Sequence, residues 1–185
     1  MFTGNKFVVR KKILAFLGQE VEVYDENNNV ILFAKQKAFK LREKLDIFTS
    51  KEKTELVLSV QARNIIDFHG TYDISDSKGI KIGAFRRKGL ESLFRDEWEV
   101  LDVADIVIGK MQEDSMALAL LRRFLINLIP QDFSIKVNEK EVLDLKQPFN
   151  PFVYKLNLEF KDESFDKRIG IVGGILLSII EGRQE

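Results

Sequence analysis

The chain has 185 residues, enough for one domain with a substantial core and too few to suggest two. Lysine and arginine total 29, as do aspartate and glutamate, so the formal net charge is zero and no global field is available to hold a polyanion such as nucleic acid. Cysteine is absent, which excludes disulfides, thiolate metal centres and cysteine nucleophiles.

The first residues, 1–12, contain no uninterrupted apolar stretch of signal-peptide length, so a cytoplasmic protein is expected. From Phe7 onward, apolar and polar residues alternate in short runs between turn residues, the pattern of half-buried strands. About twelve strands are expected, near 7–11, 20–25, 30–38, 45–49, 54–62, 68–76, 81–87, 97–101, 105–111, 132–137, 141–145 and 153–160. The segments 25–29, 76–79 and 138–140 carry the Asp, Asn and Gly residues that antiparallel hairpins need at their turns. Two hairpins resemble each other, 21–37 and 72–88: an alternating strand, an acidic turn, a second strand and a basic end, with a weaker echo at 133–146. A single closed sheet of such hairpins leaves no exposed edge, so a closed antiparallel barrel is the simplest mainly β architecture.

One helix is expected at 114–129, capped by Asp114 or Ser115, with Leu118, Leu121, Leu125 and Leu128 as its apolar stripe and Pro130 at its end. It would seal a mouth of the barrel. Arg122 and Arg123 in its middle fit either a solvated face or an interfacial membrane helix. The last element is the uncharged run 169–180, whose aliphatic residues surround most of a helical circumference while Gly170, Gly174 and Ser178 form one small flank. At about 1.5 Å per residue the run spans roughly 18 Å, short of the ~30 Å of a bilayer's hydrocarbon. A helix apolar all round and too short to cross a membrane fits a core best, with the glycine flank taking a neighbouring backbone at close range; the four-residue spacing of Gly170, Gly174 and Ser178 also matches associating membrane helices, leaving a tail-anchored dimer as the alternative.

Few residues point to chemistry. His69 is the single histidine, which with no cysteine argues against zinc. The Asp25 to Asn29 segment has alternate oxygen ligands, but Val30 and Gln36 stand where a calcium loop needs glycine and glutamate, so it reads as a turn. Asp96 and Glu97, adjacent on a strand, face opposite sides and cannot converge as an acid/base pair. No catalytic, cofactor or metal site is expected, and a hydrolase is the least favoured class.

The hairpin 72–88, the following 95–100, the segment 113–130 and the apolar C-terminal helix together resemble the LURP-one-related family, whose members share the Tubby C-terminal-like fold with the phospholipid scramblases. The resemblance implies one domain over residues 1–185: a twelve-stranded barrel around a buried C-terminal hydrophobic helix. It also implies a binding or scaffold module rather than an enzyme. The scramblases' calcium-binding and cysteine-rich segments are not evident here, nor is any phosphoinositide-binding motif of tubby domains, so no residue role is carried over. With the interior filled, function falls to the outer surface and rims. There the basic strand ends Lys35, Lys37, Arg86, Arg87 and Lys88, with Arg122 and Arg123, are the candidate ligands for an anionic phospholipid at the inner membrane face. The alternative is a protein-interaction module, in which those basic ends serve only to discourage edge pairing.

Overall fold

In a computed structural model, which describes residues 2–14, 18–36, 44–63, 70–88, 97–114, 130–150 and 153–180, the alternating runs resolve into twelve antiparallel strands. They are β1 Lys6–Leu14, β2 Gly18–Tyr24, β3 Val30–Gln36, β4 Lys44–Phe48, β5 Leu56–Ala62, β6 Thr71–Asp76, β7 Lys81–Arg87, β8 Glu97–Leu101, β9 Val107–Glu113, β10 Asp132–Val137, β11 Lys140–Lys146 and β12 Tyr154–Phe160. Each strand pairs with its sequence neighbours, and β1 closes the barrel on β12 with Phe7 opposite Leu158 and Val9 opposite Leu156. Side chains of alternate residues point inward: on β1, Phe7 and Val9 are buried while Lys6 and Lys12 are exposed.

The likeness between hairpins has a local cause. Asp25, Asp76 and Asp102 each open a turn, and each carboxylate accepts two backbone N–H groups: Asn27 and Asn29 at 2.9 and 2.8 Å, Lys78 and Ile80 at 2.9 Å, Ala104 and Ile106 at 2.8 and 2.9 Å. The fourth turn residue takes positive φ in all three, Asn28 at 59°, Gly79 at 79° and Asp105 at 64°. These residue types tolerate that conformation, which ends a type I turn with a bulge. The hairpin 133–146 differs: it closes on Asn138 and Glu139, both at positive φ, the two-residue form. The third copy of the aspartate turn is therefore β8–β9, where the sequence gives Asp105 in place of a more obvious glycine or asparagine.

The C-terminal helix, α1 (Lys167–Ile180), runs inside the barrel. Asp166 caps it, its Oδ1 accepting the Arg168 N–H at 2.9 Å. Ile171, Val172 and Leu177 are fully buried. The helix is met from around the barrel: Leu143 and Phe160 lie beside Gly170, Phe85 and Met111 beside Gly173, and Leu158 and Val9 beside Gly174. The small flank thus receives side chains, a phenyl ring and leucine methyls, rather than the neighbouring backbone expected from the four-residue spacing. Packing against the strand wall accounts for the all-round apolar surface, and no helix among the described residues is long and apolar enough to cross a membrane. Of the other expected helix, 114–129, only Asp114 is among the described residues; its carboxylate accepts the Ser134 hydroxyl at 2.7 Å.

Candidate anion-binding surface

The basic strand ends do not form one patch. Lys35 lies on β3 and Arg86 on β7, with β4, β5 and β6 between them. At about 4.8 Å per strand step that is roughly 19 Å along the wall, so the similar hairpins are not neighbours and do not bring their ends together. Each outward cation also has a carboxylate. Lys35 Nζ donates to Glu20 Oε1 at 3.2 Å, Arg86 Nε donates to Glu99 Oε2 at 2.6 Å, and Lys88 Nζ lies 3.0 Å from Glu97 Oε1. Arg87 follows the parity of Gly83 and Phe85, which face the helix; its guanidinium packs 5.6 Å from the centroid of the fully buried Trp98 ring. Lys37, Arg122, Arg123, His69 and Asp96 lie outside the described residues.

The outer wall of β1 to β4 is where cations gather. Arg10 and Lys12 project outward from β1, Lys35 from β3 and Lys44 from β4, and the turn after β4 adds Lys51 and Lys53. Aromatic rings support them: Arg10 lies 4.2 Å above Tyr24, Lys51 5.7 Å above Phe33 and Lys53 5.6 Å above Phe48. Against these six stand Glu20, Glu22 and Asp46 on the strands, Glu52 and Glu55 on the turn after β4, and Asp25 and Glu26 on the turn between β2 and β3. Depth matters more than the count. Glu22 is 3% exposed, whereas the side chains of Lys12 and Lys51 that reach it are each 49% exposed. At Glu22 an approaching ligand meets the two ammonium groups first, with that carboxylate sunk below them.

Glu22 organises this face. Its carboxylate accepts the Tyr24 hydroxyl at 2.6 Å and lies 2.8 Å from Lys51 Nζ and 3.2 Å from Lys12 Nζ. Burial by itself works against the charged form, but the hydrogen bonds from Lys51, Tyr24 and Lys12 outweigh it and hold the pKa at about 2. The partners respond in kind: burial and the Glu22 bond raise Tyr24, and the same carboxylate raises Lys51. Glu22 is thus ionised across the physiological range and the two lysines stay fixed above it. The sequence reading found Lys35 but missed Arg10, Lys12 and Lys51. The alternation of β1 places Arg10 and Lys12 outward, whereas the arrival of Lys51 depends on the path of a turn two strands further on.

A second ionic cluster lies on the next part of the wall. Arg63 donates to Asp73 at 2.6 and 2.7 Å and pairs with Asp105, and Lys81 donates to Asp105 at 2.6 Å. It ties the β8–β9 tip to the outside of β6 and β7. Bonds from Arg63 and Lys81 hold the Asp105 carboxyl at about 2. The tips so fixed carry Ile80, Val103 and Ile106 at 61, 61 and 62% exposure.

A family model described as LURP-one-related matches residues 30–147. An X-ray structure of a protein from Arabidopsis thaliana is similar in fold, with a TM-score of 0.51 and 9% identity over 97% of this chain and 92% of that one. No curated protein sequence matches the chain.

Proposed function

The chain belongs to the LURP-one-related family, and from that premise we propose that it is a non-enzymatic binding module that docks on anionic phospholipid through the outer wall of β1 to β4. The observation that carries the reading is the layering at Glu22: exposed lysines held in place over a buried carboxylate on a wall that is also lined with aromatic rings. Among the described residues, α1 occupies the barrel interior. A cytoplasmic protein peripheral at the inner membrane face is the cellular setting this reading implies.

Flotation with phosphatidylserine vesicles against phosphatidylcholine vesicles tests it. Each lysine near an anionic membrane contributes about 1 kcal/mol, so Lys12→Glu with Lys51→Glu should lower capture on the order of tenfold or more, and 0.5 M salt should lower it for the unaltered chain. Equal capture by both vesicle types would end the proposal. A second reading, a protein-interaction module, draws on the exposed Ile80, Val103 and Ile106 held by the Arg63 and Lys81 ion pairs. It requires a saturable protein partner whose binding is insensitive to the Lys12 and Lys51 reversals and lost on Ile106→Asp.

A further inference from the structure

Among the described residues, the join with the fewest ladder pairs is between β3 and β4. Among the described residues their ladder has two register pairs, Phe33 opposite Phe48 and Ala34 opposite Ile47, where every other pair of neighbouring strands has four or more. Above Ala34 a cavity of about 20 Å³ reaches from the wall to the central helix. Leu45, Ala62, Leu176 and Ile179 line its depth; Gln36 and Lys44 line it too. Gln36 is 8% exposed and its Oε1 has no hydrogen-bond partner, a buried polar group left unsatisfied. The chemistry is that of an amphiphile: apolar inside, an open amide at the edge, and ammonium groups outside.

We propose that this seam receives the alkyl chain of a phosphate-bearing amphiphile, with Lys44 and Lys35 holding its head. The inference rests on the anion-binding reading of the β1 to β4 wall and names how one ligand would seat there. Lys44 Nζ lies 3.0 Å from Asp46 Oδ1, and Asp46 also accepts the Ser59 hydroxyl at 2.7 Å. Lys44 can therefore turn to a phosphate without leaving Asp46 bare. Lys35 is 36% exposed beside Glu20. Gln36 Oε1, an acceptor, takes the proton of a P–OH or alcohol hydroxyl next to the head. The cavity holds about one methyl-sized group as it stands, and a longer chain enters as β3 and β4 part along a join that few ladder bonds hold.

Titration calorimetry with inorganic phosphate, butyl phosphate and octyl phosphate, with octyl glucoside as the uncharged control, separates the terms. Affinity should rise by up to about fourfold per buried methylene, so octyl phosphate should bind at least tenfold more tightly than butyl phosphate and the glucoside should bind weakly. Methyl resonances of Leu45 and Ile179 should shift in the titration, and those of Val23 should not. Ala62→Phe should remove the chain-length increment while vesicle capture stays. Equal affinity for butyl and octyl phosphate, or static Leu45 and Ile179 methyls, overturns the seam and leaves the lipid-docking reading intact. Octyl phosphate binding with no capture by anionic vesicles would instead sink the docking reading and retain the seam. Should Ala62→Phe fail to fold, the methyl shifts of the unaltered chain decide.

Discussion

Replacing Glu22 with glutamine should weaken the fold and strengthen anion binding at once. The carboxylate titrates at about 2 rather than the ordinary 4.5, so it contributes stability that is complete above pH 4.5 and is lost as the pH falls toward 2. At 1.36 kcal/mol per pH unit the shift corresponds to roughly 3 kcal/mol, and because Lys12 and Lys51 are half exposed, competing water reduces this to about 1–2 kcal/mol. Urea unfolding at pH 7 should show Glu22→Gln less stable by that amount. At pH 2.5 most of the gap should close, since the parent loses part of the same interaction there. The same substitution releases Lys12 and Lys51 from their countercharge, so capture by phosphatidylserine vesicles should rise severalfold. A variant as stable as the parent at pH 7, or a gap unchanged between pH 7 and 2.5, would refute the electrostatic reasoning. Lower capture by the vesicles would refute the role of the two lysines.

Other substitutions probe the remaining layers of the structure. Arg86→Glu sets a second carboxylate beside Glu99 but lies off the β1 to β4 wall, so vesicle capture should fall less than with Lys51→Glu in the same flotation assay. Gly109→Ala should cost about 1–3 kcal/mol in thermal unfolding, because its Cβ would stand 2.5 Å from the Lys136 carbonyl oxygen, a backbone atom that cannot step aside. Ile175→Ala, at 1% exposure in the middle of α1, should cost about 2–5 kcal/mol as a core cavity.

The wall of this barrel was legible because alternation is a local signal. Each strand declares its inner and outer faces through neighbours two residues away, and the aspartate turns mark where it reverses. The same signal separates Arg86 from Arg87, since consecutive strand residues face opposite sides; grouping them as one basic end overlooked it. It also puts Lys11 inside with Phe7 and Val9, where it lies 5.1 Å from the Tyr154 ring at 3% exposure. What alternation cannot convey is which strands become neighbours around a closed sheet. Lys35 and Arg86 looked equivalent because their hairpins share a turn, but equivalence in sequence put them four strand steps apart. Glu22 was legible as outward, between the inward Val21 and Val23, yet its burial depends on Phe33 of β3 and Lys51 of the turn after β4.

The glycine flank of α1 and the seam in the wall are two ends of one packing arrangement. At about 100° per residue, Gly170, Gly174 and Ser178 fall on one side of the helix and Leu176 and Ile179 on the opposite side. The small side lets the helix lean on the β11, β12 and β1 wall, where Leu143, Leu158, Phe160 and Val9 meet it. A helix drawn to one side leaves slack on the other, and the cavity beneath the β3–β4 join lies there, against Leu176 and Ile179. Gly174→Ala tests this coupling across the core. The added Cβ would lie 3.2 Å from Leu158 Cδ2 and 3.3 Å from Val9 Cγ2, close enough to push the helix by a few tenths of an ångström without an outright clash. Alanine also favours the helix by roughly 0.5–1 kcal/mol, so the melting temperature should stay near that of the parent. The helix should move toward the seam, and octyl phosphate should lose affinity severalfold while inorganic phosphate does not. Unchanged octyl phosphate binding in a folded Gly174→Ala chain would mean that the slack beside β4 owes nothing to the glycines on the far side of the helix.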